Sequence, residues 1–355
     1  MWNVYLILIS LLSNNIVLSL ESSLFYFRFG FFSLAIWYAI DTDKNFLKNI
    51  HIIFSLVFLF IIIDGYIQFF YGQNIFGFEY DRVRLSGIFG DEKILGSFLS
   101  RMIPIFFGLS IFLYSKNKMS IILPLTCLVI LDILIYITGE RAAFFNLILF
   151  SVIIIIFTHK WKMIRAISLI ISFVLIFFIS YFNNGIYDRM ITKTLDQTNV
   201  FEGKVNAFSI QHEVVYQSAF KMFRDNPIFG IGPKMFRETC KEKRYQVFTD
   251  EDLSIDGCQT HPHNFMLQLL TESGIIGAIP VVFVFLTSIY VLLRNLFLTF
   301  FKKIIIVSDV KIIFISSIII NLWPLVPTGN FFNNYLSILI YFPLGFLMYF
   351  VYSKK

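Results

Sequence analysis

Apolar residues in this chain fall in long unbroken runs separated by short charged stretches, with no sustained alternation of apolar and polar positions. A helix needs about 20 such residues to cross the hydrocarbon core of a bilayer. The runs lie near residues 2–20, 24–40, 51–71, 95–114, 119–138, 142–158, 166–182, 265–293, 312–328 and 334–352. The pattern predicts an all-α, polytopic helical membrane protein with about ten transmembrane helices. A transmembrane β-barrel would instead alternate apolar and polar residues with period two. Asn14, Asn15 and Glu21 interrupt the first pair of runs. The run 2–20 has no basic leader and no small-residue cleavage site, so it is read as a retained helix and not as a signal peptide.

Composition sharpens this picture. Of the 355 residues, 57% are hydrophobic and 15% charged, against about 25% charged in a soluble domain. A soluble enzyme and a disordered chain are both excluded. The charges are also unevenly spread. Residues 183–262 hold 10 of the 29 Lys and Arg and 11 of the 23 Asp and Glu. The expected organisation is an N-terminal transmembrane bundle (1–182), one large outer helical loop domain (183–262) and a C-terminal group of transmembrane helices (263–355). The loop is nearly neutral, so the net charge of +6 belongs to the hydrophobic scaffold. It reports membrane topology and carries no signal for nucleic acid.

Loop charges give an orientation. With the N-terminus in the cytoplasm, inner loops hold Lys44, Lys48, Lys116, Lys118, Lys160, Lys162, Arg165, Arg294, Lys302, Lys303 and Lys311, and the tail holds Lys354 and Lys355. This satisfies the positive-inside rule with both termini cytoplasmic and the loop outside. Arg28, Arg82, Arg84, Lys93, Arg101 and Arg141 break the rule. Arg101 and Arg141 sit within or at the edge of apolar runs, where an ionisable group is costly and usually lines a polar cavity or site. Asp64, Asp132 and Glu272 are the acidic counterparts, and each can be a structural partner for an arginine.

Candidate chemistry concentrates in the loop and the span that follows it. Cys240 and Cys258 lie 18 residues apart in the outer loop, where an oxidising compartment permits a disulfide. A metal site using Cys258, His261 and His263 is the alternative, but zinc usually takes four well-spaced ligands. The segment 212–236 reads as a helix, with Val215, Ala219, Met222 and Phe223 on one stripe. Asp225-Asn226-Pro227 stops it, and Gly230 and Gly232 allow a tight turn. Farther on, His263 marks the point where the loop re-enters the membrane. Asn264, Gln268 and Glu272 follow at helical spacing and form a polar stripe, which in a membrane helix faces a cavity or another helix. Gly274 and Gly277 suit close helix packing.

Together these stretches resemble the O-antigen ligase and polymerase superfamily of bacterial membrane glycosyltransferases. His263-Asn264, nine residues, then Gly274-x-x-Gly277 fits the ligase pattern. Phe223-Arg-Asp-Asn-Pro-Ile-Phe-Gly-Ile-Gly-Pro233 resembles the family's Asp-x-Pro-x-x-Gly-x-Gly loop. Thr138-Gly-Glu-Arg-Ala-Ala143 resembles its Ser-Arg-small-small element, with Gly-Glu where Ser or Thr often precedes the arginine. Arg84-Leu-Ser-Gly-Ile-Phe-Gly-Asp-Glu-Lys93 is a weaker match, with Lys93 near the place of a family Asn. The resemblance covers about residues 80–350.

The resemblance implies transfer of a glycan from undecaprenyl diphosphate at the periplasmic face of the bacterial inner membrane. A ligase passes it to lipid A-core, and a polymerase passes it to another lipid-linked repeat unit. No cofactor or metal is implied. The partners would be the lipid-linked donor, the lipid A-core or lipid-linked acceptor, and membrane lipid. Arg141 and Arg84 would stabilise the leaving diphosphate. His263 would take the acceptor's proton, or instead orient the acceptor or bind diphosphate. Asn264, Glu272, His261 and Arg82 are the supporting substrate-binding candidates. The other readings are a polytopic transporter or flippase, which would favour inverted repeats that the sequence lacks, and a receptor or scaffold, which leaves the intramembrane arginines unexplained.

Overall fold

A computed structural model of the chain describes residues 1–114, 122–198, 208–248 and 256–352. The orientation marks Lys116, Lys118, Lys354 and Lys355 lie outside them, as do the first residues of the run 119–138. The protein is a polytopic helical membrane protein. Its helices are α1 (Trp2–Leu11), α2 (Ile16–Ser23), α3 (Phe27–Thr42), α4 (Phe46–Tyr71), α5 (Leu95–Tyr114), α6 (Ile122–Ile137), α7 (Arg141–Phe157) and α8 (Lys162–Phe182). The short α9 (Asn184–Tyr187) and α10 (Lys193–Gln197) flank a π-helical turn at Asp188–Thr192. After them come α11 (Ile210–Asp225), α12 (Phe236–Thr239), α13 (Phe265–Lys302), α14 (Asp309–Asn321) and α15 (Asn334–Tyr352). Among the described residues, six stretches are long and apolar enough to span: Ile16–Thr42, Phe46–Tyr71, Leu95–Tyr114, Lys162–Phe182, Phe265–Lys302 and Asn334–Tyr352. Trp2–Leu11, Pro124–Ile137 and Arg141–Phe157 are shorter apolar helices.

Two of the expected runs differ in the structure. Residues 2–20 do not form one helix, because the chain breaks after Leu11 and restarts when the Asn15 side chain accepts the Leu18 N–H. An asparagine is a strong N-cap, so an apolar run containing one at its middle splits there. Residues 312–328 are helical only as far as Asn321. Pro324 and Pro327 prevent continuation.

The chain divides into two compact units. The first comprises Met1–Ala35, Asp196–Thr287 and Leu322–Gly345, and the second Ile36–Leu195, Ser288–Asn321 and Phe346–Lys355. In the second unit, α5 packs on α4, α6, α7 and α14, while α8 packs on α6 and α7. Helix α14 is buried on every side from Ile312 to Asn321, as an interior helix must be when it is apolar all round. In the first unit, α1 and α2 meet through Ser10, Ser19 and Ser23, whose hydroxyls hydrogen-bond to one another at 2.7 and 2.9 Å. Small hydroxylated residues let helices approach closely in this way.

The loop carries more core than its charge suggests. Val214, Val215, Ala219 and Met222 of α11 pack with Phe236, Cys240 and Tyr245, and with Cys258 and Leu267 at the edge. Cys240 and Cys258 form a disulfide within this cluster. That sulfur is therefore withdrawn from the metal set Cys258, His261 and His263.

Candidate active site

In the first unit, two glycine motifs turn out to be halves of one backbone exchange. Helix α13 is broken at Gly274, which has φ +65° and ψ −175°. The N–H groups of Ile275 and Ile276 turn away from the helix and donate to the carbonyls of Pro227 and Ile228 at 2.9 and 3.4 Å. The carbonyls of Thr271 and Glu272, freed by that break, accept from Ile231 and Gly232 at 3.0 and 2.8 Å. A broken helix survives at membrane depth only when its freed groups find partners in the protein, and the loop after Pro227 supplies them. A Cβ on Gly274 would overlap the Ile228 carbonyl, and one on Gly230 would lie 2.6 Å from the Gly274 nitrogen. Gly232 sits at φ +101° against Ser13, and Gly277 packs on Ser273 and Tyr5. All four glycines are backbone devices.

The polar stripe of α13 has a related task. Asn264 caps the helix, its Oδ1 accepting the Leu267 N–H at 3.0 Å, while its Nδ2 donates to the Pro324 carbonyl at 2.7 Å. Gln268 donates to Glu272 and to Asn330, both at 2.9 Å, and accepts the Phe331 N–H at 2.8 Å. Glu272 is fully buried and also accepts the Phe236 N–H at 3.2 Å. The stripe thus satisfies the irregular backbone of 324–331 and the start of α12. Both polar atoms of Asn264 are engaged in these bonds, and no surface of Glu272 is exposed.

His263 lies just ahead of that cap in the left-handed region, with φ +53°. A non-glycine residue there is uncommon, and such strain clusters at functional sites. The backbone is held by the Thr328 N–H, which donates to the His263 carbonyl at 2.8 Å. The His261 ring centroid is 4.2 Å from that of His263, and the ring of His212, on α11, lies 6.0 Å away at right angles. Ser209 Oγ is 2.7 Å from His212 Nδ1. His261 Nδ1 meets Thr260 Oγ1 at 3.0 Å, and among the described residues its buried Nε2 has no hydrogen-bond partner. Burial lowers the His263 pKa. Burial, the neighbouring His263 and then Arg237 lower that of His261 to about 4, against a partial offset from the Thr328 backbone. Both rings are neutral at pH 7. Tyr216 on α11 is hydrogen-bonded to Asn264, and burial raises its pKa to about 12.

The second unit gathers the arginines. The turn between α6 and α7 has Gly139 at φ +69°, and a Cβ there would strike the Val83 carbonyl. The same Cβ would lie 3.4 Å from Cγ of both Arg84 and Arg189, so the glycine lets two arginine stems converge on the turn. Arg189, on the π-turn, donates from Nε to the Gly139 carbonyl at 3.3 Å. Arg84 donates to the Lys93 carbonyl at 2.6 Å. Arg141, the first residue of α7, donates to Thr194 Oγ1 at 3.3 Å and lies in the fields of Arg189 and Arg84. Burial and the field of Arg84 lower the Arg189 pKa. Glu140 accepts the Gly96 and Ser97 N–H groups at 2.6 and 3.2 Å and stands 3.9 Å from Arg84. Burial raises its pKa to about 7, although Arg84 and those N–H groups oppose the rise. Arg82 is exposed, with its backbone at φ +58°.

Residues 125–284 match the model of the O-antigen ligase family. This stretch of the chain is similar to the O-antigen ligase family. No curated protein sequence matches the chain. The matching stretch includes Arg141, the loop glycines, His263 and the Gly274 break, while Arg82 and Arg84 precede it. The structure brings His261 and His263 together in the first unit, and gathers Arg141 with Arg84 in the second. Arg189, Glu140, His212, Tyr216 and Arg237 were not singled out from the sequence. Arg189 reads there as one charge of a solvated loop. His212 and Tyr216 lie at the edge of the helical stripe of that segment that did attract notice.

Proposed function

We propose that this protein is a metal-independent, ligase-type glycosyltransferase. It moves a glycan from undecaprenyl diphosphate to lipid A-core at the periplasmic face of the bacterial inner membrane, with both termini cytoplasmic. The observation that carries the reading is the gathering of Arg84, Arg141 and Arg189 at the Gly139 turn. These three guanidiniums are faced by Glu140 and by Asp81, and Asp81 is already paired with Lys93. Excess positive charge in a partly desolvated place favours an anion such as a diphosphate.

As the glycosidic bond breaks, the bonding electron pair leaves with the diphosphate, and the arginines stabilise the charge that develops. The acceptor hydroxyl attacks the anomeric carbon and gives its proton to neutral His263. His261 sits against that ring. Glu272 is buried and bonded on both oxygens, so it supports the fold and takes no nucleophilic part. A single displacement with inversion follows. A polymerase would use the same groups with a lipid-linked repeat unit as acceptor.

Deleting the gene and resolving surface glycan by electrophoresis tests the reading. Loss of all glycan from lipid A-core is expected, whereas a single repeat left on the core would make the protein a polymerase. Complementation with His263→Ala or Arg141→Ala should give inserted protein and no transfer product. Normal transfer by both would overturn the mechanism.

A further inference from the structure

The carboxylate of Glu140 stands where the family resemblance leads one to expect a hydroxyl. It is 9% exposed. Its two oxygens take the first free N–H groups of α5, Gly96 at 2.6 Å and Ser97 at 3.2 Å, and it faces Arg84 at 3.9 Å. Arg101, farther along α5, also lies in its field. Arg141 follows it directly in the chain, and Arg189 is tied to the carbonyl of Gly139 just before it. An anion at the N-terminus of a 20-residue helix is well placed. Here the chain supplies that anion itself, beside the arginines assigned to the donor.

We infer that Glu140 is a positioning residue and resident counter-ion of the donor site, setting donor affinity by its own protonation. The inference rests on the donor-site reading above. An ionised Glu140 holds Arg84 and repels the incoming diphosphate. Once protonated, it leaves Arg84 to the diphosphate and keeps one oxygen for the α5 N–H groups. Donor binding and proton uptake at Glu140 are then linked, and each must favour the other by the same factor. Arg84 faces the carboxylate, and Arg101 lies in its field. Arg141, Arg189, Asp81 and Lys93 are the remaining charged groups around the turn. Burial places the Glu140 pKa near 7, inside the range from pH 6 to 8.

The test is equilibrium binding of undecaprenyl-diphosphate-linked N-acetylglucosamine to the full chain in lipid nanodiscs. The diphosphate of this probe is a diester and stays doubly ionised over the whole range. For the unsubstituted protein, Kd is expected to rise about fivefold from pH 6 to pH 8, the part of a one-unit pKa coupling that falls in this window. Glu140→Gln should bind tightly at both pH values, with the slope gone. A purely structural cap would leave the slope in place in Glu140→Gln, and that result overturns the inference. A flat Kd in the unsubstituted protein also overturns it, without need of any variant. Arg141→Ala tells the donor site and the role of Glu140 apart. Binding by Arg141→Ala equal to that of the unsubstituted protein overturns the donor site itself. Loss of binding in Arg141→Ala beside an unchanged slope in Glu140→Gln removes only the role of Glu140.

Discussion

Two arginine sites in the same unit teach opposite lessons. Arg165, on α8, is fully buried and makes five hydrogen bonds, to both oxygens of Asp132 on α6, to Ser151 on α7 and to Ser168. Ser172 adds a further bond to Asp132. Read from the sequence, Arg165 is a cytoplasmic loop charge, and the structure corrects this to a sealed pin between three helices. At the Gly139 turn, three arginines crowd one another and are only partly neutralised. The first holds its charge wholly away from water, and the second only partly. Filled valences mark scaffold, and unfilled positive charge marks a place that waits for an anion.

Breaking the sealed site should have the largest effect. Asp132→Ala leaves a guanidinium buried without its partner, which typically costs about 3–5 kcal/mol. The variant should fail to accumulate in membranes, as measured by immunoblot and detergent thermal scanning. Replacing both partners, as Arg165→Met with Asp132→Leu, should recover most of the lost protein. Recovery of glycan transfer by this double variant separates the pin from chemistry, and its failure would place Arg165 in the reaction after all.

The open site should answer in the reverse sense. Arg189→Ala is expected to accumulate normally, because it relieves repulsion at the turn. Transfer should fall about 10²-fold or more, the size seen when one stabiliser of developing charge is removed. A fall in accumulation without a fall in specific transfer would show that Arg189 is scaffold. A smaller effect sharpens the contrast further. Inorganic pyrophosphate at about ten times its Kd should stabilise the unsubstituted protein by about 1.4 kcal/mol in thermal scanning. The shift should vanish in Arg141→Ala and persist in the Arg165→Met, Asp132→Leu double variant.

The same contrast explains what the sequence could tell. Apolar runs 95–114 and 334–352 reappear as α5 and α15 because apolarity over the length of a helix is a local property of the run. Arg141 was legible because its neighbours in the chain are apolar. Its company was not, since Arg84 and Arg189 arrive from positions 57 residues before it and 48 after it. Arg165 was misread for the same reason, because its partner Asp132 lies 33 residues away. The His-Asn and glycine motifs drew attention to this region. They did not show that Asn264 caps a helix or that the loop glycines exchange hydrogen bonds with a broken α13, because both depend on tertiary approach.

Burial acts a third way at His263, and this gives the smallest of the expected effects. Desolvation disfavours the charged imidazolium, so the folded-state pKa lies below the ordinary 6.5 or so. A group shifted in this direction stays neutral, and able to accept a proton, at pH values where an exposed histidine is already charged. At saturating donor, where the titration of Glu140 no longer affects binding, kcat should be nearly level from pH 7.5 to 6.5. Its acid limb should begin below that. An unshifted histidine acting as base would lose about tenfold in kcat by one unit below its pKa. A smaller loss at pH 5.5 is the expected result. If His263 instead binds diphosphate as a cation, the slope must reverse and the rate must climb as pH falls. A climbing rate would therefore rule His263 out as the base and make it a cationic ligand of the diphosphate, an outcome its lowered pKa opposes.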